Sequence, residues 1–217
     1  MNRYGNNPEG MSALHYAIKE GDLHAVEMMI ANGADVDSVE MIYPNYACST
    51  IVRAAQYNRI EIAEFLLSCG ANINFVPIGD CYYHYPLYFA AQSGSGELIT
   101  LFVKHGAFLD KIMPPDNDIN HLIETPLHIA AQYGNYEAVV ALIAGGAKIN
   151  ATATKTNVIG SWRDGNPLDY AAYNLTYKND PQNLELVKFL VENKATRKSQ
   201  SPIPCPIISG YLQSVGR

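Results

Sequence analysis

Residues 125–150 read TPLHIAAQYGNYEAVVALIAGGAKIN, and the chain repeats this phrase, altered, four more times. The variants start at Ser12 (SALHYAIKEGDLHAVEMMIANGADVD), Ser49 (STIVRAAQYNRIEIAEFLLSCGANIN), Tyr85 (YPLYFAAQSGSGELITLFVKHGAFLD) and Asn166 (NPLDYAAYN, resuming as LELVKFLVENKA). Self-similarity on this scale marks a stack of supersecondary units, none of which buries its apolar face alone. Function in such a chain is expected along a continuous surface rather than in a pocket of catalytic groups.

The reference residues Ala17, Ala54, Ala90, Ala130 and Ala171 are separated by 37, 36, 40 and 41 positions. From Ala to the glycine of the following Gly-Ala pair (Gly33, Gly70, Gly106, Gly146) the distance is 16 in all four units that have one. The interior of a unit is therefore constant, and the joints vary. The constant part predicts two helices. The first starts at a Ser/Thr position whose hydroxyl can cap it, as at Thr125 before Pro126. It stops at Gly21, Asn58, Gly94 or Gly134, residue types that tolerate the left-handed conformation. The second carries an apolar stripe at i, i+3, i+6 and i+7: Leu23, Val26, Met29, Ile30; Ile60, Ala63, Leu66, Leu67; Tyr136, Val139, Leu142, Ile143.

Two units deviate. In the third, Gly96 stands where a bulky residue opens the stripe, and Ser93-Gly94-Ser95-Gly96 is a poor helix start. This is expected to be the loosest joint in the stack. In the fifth, Leu175 replaces the turn glycine, so the first helix is expected to run on to about Tyr177, with a longer turn at Asn179–Asn183. Its stripe resumes as Leu184, Val187, Leu190 and Val191. Lys194 occupies the glycine position, so that helix end is expected to be less sharply defined.

A helix–turn–helix unit of TPLHxAA, a turn glycine, an apolar second helix and Gly-Ala-x-hydrophobic-Asn resembles the ankyrin repeat. The resemblance covers residues 10 to about 196, with TPLH intact only in the fourth unit. It implies an all-α ankyrin-repeat solenoid of five helix-turn-helix units with β-hairpin fingers, and a protein-binding rather than enzymatic role. It also implies that His15 and His128 bond to neighbouring backbone and the capping hydroxyl. Against the usual period of about 33 residues, the linkers from glycine to the next reference Ala are long, at 21, 20, 24 and 25 residues. All four fingers are thus expected to be enlarged. They hold Tyr46, Tyr82, His84, His121, Trp162 and Arg163, and aromatic and arginine side chains commonly anchor protein interfaces. The two positions after the Ala pair, which the resemblance places on a concave groove, include Tyr57, Tyr133 and Tyr173. These three are expected to point one way, interrupted by Ser93. The candidate partner-binding residues are therefore Tyr46, Tyr57, Tyr82, His84, His121, Tyr133, Trp162, Arg163 and Tyr173.

Other chemistry finds little support. No nucleotide-binding, zinc-protease or serine-hydrolase motif occurs. Cys81, His84 and His121 form the only zinc alternative, short of the four ligands a structural site needs. Asp116 and Asp118 lack the remaining oxygen ligands of a calcium loop. No cofactor and no metal are expected, and a metal or enzymatic protein built on the His, Cys and Asp of the long fingers is the competing reading. A formal charge of −6 without a Lys/Arg cluster argues against nucleic acid as a partner. No apolar run approaches the ~18–20 residues of a membrane span, and the N-terminus lacks the apolar core of a signal peptide. Cys48, Cys69, Cys81 and Cys205 show no paired spacing, which suits free thiols and a reducing, cytoplasmic location.

The expected organisation is a polar lead-in at 1–9, the repeat array at 10–196, and a tail at 197–217. The units lie at about 10–37, 48–74, 84–110, 124–150 and 165–196. The prolines at 202, 204 and 206 favour an extended tail whose apolar residues cap the fifth unit, or else form a short linear motif. The expected protein is a monomer that binds a protein or peptide. Irregular units and long fingers also resemble ankyrin proteins that intracellular bacteria or large viruses deploy against host proteins, which would place it in host cytoplasm.

Overall fold

The computed structural model describes residues 11–43, 46–75, 85–111, 122–155, 165–178, 181–198, 203 and 205–216. The chain divides into two compact units, Met1–Ser93 with Glu97–Phe108, and Gly94–Gly96 with Leu109–Arg217. The first unit holds three helix pairs: α1 (Ala13–Glu20) and α2 (Leu23–Ala31), α3 (Thr50–Gln56) and α4 (Ile60–Ser68), α5 (Pro86–Ser93) and α6 (Gly96–Lys104). Helix α3 packs between α1 and α5 and against its own partner α4. The second unit holds α7 (Pro126–Tyr133), α8 (Tyr136–Ala144), α9 (Pro167–Lys178), α10 (Pro181–Glu192) and α11 (Pro206–Ser214). There α7 packs on α8 and α9, and α9 on α10. Strands are few among the described residues. β1 (Val39–Tyr43) and β2 (Tyr46–Ser49) form an antiparallel hairpin in the first finger. In the second unit β3 (Leu122–Ile123) pairs antiparallel with β4 (Thr154–Lys155).

The helix ends follow from local chemistry. Ser49 Oγ accepts the Val52 N–H at the start of α3, and Asp22 Oδ1 accepts the Ala25 N–H at the start of α2. Gly21 closes α1 at φ 82° and Gly134 closes α7 at φ 72°. Asn58 takes the same left-handed conformation at φ 52°, and so does Lys194 at φ 69°. The end of α10 is thus sharply defined, against expectation. A lysine has been forced into the glycine conformation, with its N–H donating to Val191 O and the next N–H to Leu190 O. Helix α9 runs on as expected, to Lys178. Helix α10, however, opens at Pro181, so positions 181–183 are helical rather than turn.

The buried arc of the second helices is narrower than the sequence stripe suggested. The fully buried set is Val26; Ile62, Ala63 and Leu66; Leu98, Ile99 and Phe102; Ala138, Val139 and Leu142; and Leu186, Val187 and Leu190. At about 100° per residue these positions span a single arc of about 100°. The opening position of the expected stripe lies off that arc, and Tyr136 there is 39 % exposed. Nor does Gly96 leave a void. A Cβ built on it would lie 3.0 Å from the Glu137 carbonyl oxygen, so the missing side chain permits a close backbone approach.

One side-chain interaction recurs at every joint. Four residues past each turn glycine is an Asp or Asn whose oxygen accepts the backbone N–H two residues past the next glycine position. In the first unit Asp37 accepts from Asn72 at 2.9 Å and Asn74 from Phe108 at 3.0 Å. In the second, Asp110 accepts from Lys148 at 2.9 Å and Asn150 from Thr196 at 2.8 Å. Asn74 and Asn150 each donate as well, to Gly106 O at 2.8 Å and Lys194 O at 3.3 Å. The linkers vary in length, yet these bonds join the same two register positions each time.

The series stops in the fifth repeat. Its register position is Lys198, which has no side-chain acceptor. Instead the fully buried Asp169 accepts the Lys198 N–H at 2.8 Å, the Arg197 Nε–H at 3.0 Å and the Asn166 N–H at 3.0 Å. Of the tail, the residues from Pro206 are helical rather than extended. Pro206 takes the first position of α11, where its missing N–H costs nothing, and Ile208 and Leu212 are buried.

Because Lys194 holds a conformation glycine adopts without steric cost, Lys194→Gly is expected to stabilise the protein by about 0.5–1 kcal/mol. The β-branched Lys194→Val should destabilise it. Urea unfolding midpoints of the three proteins check both directions.

Candidate interaction surface

Tyr57 closes α3, the inner helix of the second repeat, and is half-buried. Its ring lies 5.9 Å from Lys19 Nζ and 6.0 Å from Arg53 Cζ, within cation–π range of both. Arg53 is buried and pairs with Glu40 Oε2 at 2.8 Å, while its Nη1 donates to Gln56 Oε1 at 3.1 Å. Glu40 lies on β1 and also accepts the Ser12 N–H at 2.5 Å. His15 joins the same finger, its Nε2–H donating to Cys48 O at 3.0 Å on β2. The first finger is therefore tied to α1 and α3 by a buried polar group, and the ring of Tyr57 is set against it. Burial pushes the Cys48 thiol up to about 11, so this cysteine is an inert core group.

The second unit repeats the motif with a different residue. His128 Nδ1 accepts the Thr125 N–H at 3.2 Å and lies 2.8 Å from Thr125 Oγ1. Nε2 then carries the proton and donates to Gly165 O at 3.3 Å, across to the next repeat. The ring stacks edge-on to Tyr170 at 4.9 Å. The role expected of His15 and His128 from the resemblance is thus observed. Asp169, two residues before the reference Ala171, fills the same register position in the fifth repeat. Tyr133, at the end of α7, is 44 % exposed. Tyr136 follows across the turn and meets Phe189 edge-on at 5.5 Å.

Of the residues expected to bind a partner, Tyr57 and Tyr133 are described with their side chains. Tyr46 opens β2, its backbone paired with Tyr43, and Tyr173 lies within α9. Tyr173 does not share the register of the other two. It follows its reference Ala by two residues, whereas Tyr57 and Tyr133 follow theirs by three, a rotation of about 100° around the helix. Tyr82, His84, His121, Trp162 and Arg163 lie outside the described residues, as do Cys81, Asp116 and Asp118. Among the described residues no three His, Cys, Asp or Glu side chains could jointly hold a metal ion. Within them no helix is long and apolar enough to cross a membrane. Cys48, Cys69 and Cys205 are free thiols. The Arg53–Glu40 pair was not anticipated. Its signal is in the register: where Arg53 stands, the other repeats have Tyr16, Phe89, Ile129 and Tyr170.

This geometry of paired helices, finger strands and polar joints is that of a known family. Residues 2–77, 77–153 and 114–201 match ankyrin repeats in three copies. The chain belongs to the ankyrin-repeat family and is an ankyrin-repeat solenoid. It is similar to the human ASB11 ankyrin repeat domain, with a TM-score of 0.64 and 26 % identity over 86 % of this chain and 71 % of that one. It is 35 % identical over 68 residues to the B-cell lymphoma 3 protein homolog of Mus musculus, covering 31 % of this chain and 14 % of that protein. Over 130 residues it is 27 % identical to the Homo sapiens transient receptor potential cation channel subfamily A member 1, covering 45 % of this chain and 11 % of that protein. The matches thus take in small fractions of those two relatives. Ankyrin repeats are generally protein–protein interaction modules, and generally not enzymes.

Burial lowers the pKa of His128 to about 4, its hydrogen bonds to backbone opposing the shift only in part. Burial lowers His15 in the same direction. Each imidazole is neutral in the folded chain, while the unfolded chain takes up protons below about 6.5. Stability should therefore fall as pH drops from about 6.5 towards 4, by about 3 kcal/mol from His128 across the whole window. Urea midpoints at neutral and mildly acidic pH check the slope. His128→Gln should start less stable and show a flatter dependence.

Proposed function

We propose that this ankyrin array holds a protein or peptide partner on the exposed ends of its inner helices and on its enlarged fingers. The observation that carries this reading is Tyr57. A half-buried aromatic ring, fixed by Lys19 and by an Arg53 already committed to Glu40, offers a rigid anchor that loses little entropy on binding. Tyr133 adds an exposed ring in the other compact unit. Tyr46, Tyr82, His84, His121, Trp162, Arg163 and Tyr173 are assigned to the same role through their places in the fingers and in α9. Affinity would come from the aromatic anchors and selectivity from finger shape, without a cofactor and without catalysis. The irregular unit lengths and enlarged fingers support an effector acting on host proteins as the setting, with the cytoplasm as its compartment.

The triple variant Tyr57→Ala, Tyr133→Ala, Trp162→Ala is expected to lose most partner capture in affinity purification with mass spectrometry while keeping its helical circular dichroism. Undiminished capture by the folded variant would show that this surface is not the one used.

A further inference from the structure

Lys194 holds φ 69° at a position where the four preceding repeats have glycine, at φ 89°, 92°, 79° and 96°. A non-glycine residue kept in the left-handed region costs stability, and such residues collect where the side chain is used. Lys194 and Lys198 are exposed, and neither ammonium makes an ion pair among the described residues. Asn150 brings both beside Lys148. Its side chain donates to Lys194 O at 3.3 Å and accepts the Thr196 N–H at 2.8 Å. Lys148 lies two residues before Asn150, and Lys198 two after Thr196. The Lys148 side chain is 77 % exposed, with Asp110 at 4.0 Å. Three lysines from two repeats thus share one turn edge of the second unit, assembled by stacking and not by any run in the sequence. The carboxylates there are committed inward. Asp110 Oδ1 accepts the Lys148 N–H at 2.9 Å, and the fully buried Asp169 holds Arg197 at 3.0 Å. Glu185 and Glu192 lie beside Lys188 on α10. At the positions equivalent to Lys148 the first unit has Asp35, Asn72 and Phe108, and at those equivalent to Lys198 it has Asp37 and Asn74, with no cation.

We propose that Lys148, Lys194 and Lys198 form a docking edge for an acidic segment of the protein partner. Resting on the reading of the array as a protein-binding module, this edge adds a contact that uses none of its tyrosines. An ammonium on a flexible stem takes single carboxylates from many directions, whereas paired recognition of phosphate favours the planar fork of arginine. The guanidinium at this edge, Arg197, is already bound to Asp169. A long polyanion such as nucleic acid would also meet the rest of a chain whose formal charge is −6, which repels it. A short run of Glu or Asp side chains engages the three ammoniums without that cost. Glycine at 194 would make the better helix end, but it would leave the edge with two charges instead of three.

Fluorescence anisotropy of a labelled octaglutamate peptide, titrated with the full chain, tests this. Saturable binding should appear at about 0.05 M salt and weaken steeply towards about 0.3 M. Lys194→Gly should weaken binding about threefold or more while raising the urea midpoint, and Lys194→Arg should bind as the wild type does. Affinity and stability moving in opposite directions separate a binding lysine from a structural one. Lys148→Ser with Lys194→Gly and Lys198→Ser should cut affinity at least about tenfold. If that triple variant fails to fold, Lys194→Gly alone, the more stable chain, decides. Duplex DNA and phosphatidylserine vesicles should bind at least about tenfold more weakly than the peptide. Wild-type chain that does not bind octaglutamate overturns the proposal. So does a Lys194→Gly chain or a folded triple variant that binds it unchanged, or a Lys194→Arg chain as weak as Lys194→Gly. Preference for DNA or vesicles overturns the acidic segment as occupant. None of these outcomes bears on capture through Tyr57 and Tyr133, which the aromatic variants test separately.

Discussion

A side-chain oxygen that accepts one backbone N–H from the next repeat is the interaction on which the stacking register depends. Hydrophobic burial brings the helix pairs together but is non-directional, and apolar faces can slide. Asp37, Asn74, Asp110 and Asn150 each select one backbone donor, two residues past the next turn. They fix that register although the intervening linkers differ by several residues. A linker can therefore lengthen without disturbing the stack, as long as its two ends return to the same positions. Enlarged fingers are compatible with a regular core for this reason.

Histidine and carboxylate share a second constraint. At the same helical position, His15 and His128 cap their own helix and donate to a carbonyl near the start of the following repeat. Asp169 caps its helix as well, but accepts N–H groups from the chain that follows. Donor has become acceptor where no further repeat is described, and the register position that would carry the next side-chain acceptor holds Lys198. The first finger uses a third solution, a buried Arg53–Glu40 pair, whose rupture would strand a charge in the core. That pair stiffens the setting of Tyr57, so an element of stability also shapes the candidate binding surface.

Most of the fold was legible because periodicity reports burial directly. The 16-residue spacing from Ala to Gly placed the eight helices of the first four units, and the TPLH-like phrase located the caps. What misled was local chemistry judged one residue at a time. Gly96 reads as a missing side chain in the stripe, but it admits the Glu137 carbonyl. Lys194 reads as a less sharply defined helix end, yet it holds the left-handed conformation. Three alternating prolines suggested an extended tail, and Pro206 instead starts a helix. The interface was less legible than the fold. Tyrosines near one another in the repeat phrase can still differ by one position, and Tyr173 does. Arg53 was visible only by aligning the repeats on one another, since its partner Glu40 is in a finger with no repeating counterpart.

The register claim has a direct test in amide hydrogen exchange. The N–H groups of Asn72, Phe108, Lys148 and Thr196 lie outside helices and strands, where protection from helix or sheet is absent. The equivalent N–H in the first repeat, Asp35, has no acceptor among the described residues. If side-chain oxygens hold the joints, the four should exchange at least about tenfold more slowly than Asp35 after correction for intrinsic rates. Exchange of all five at the same corrected rate would contradict the claim that these bonds set the stack.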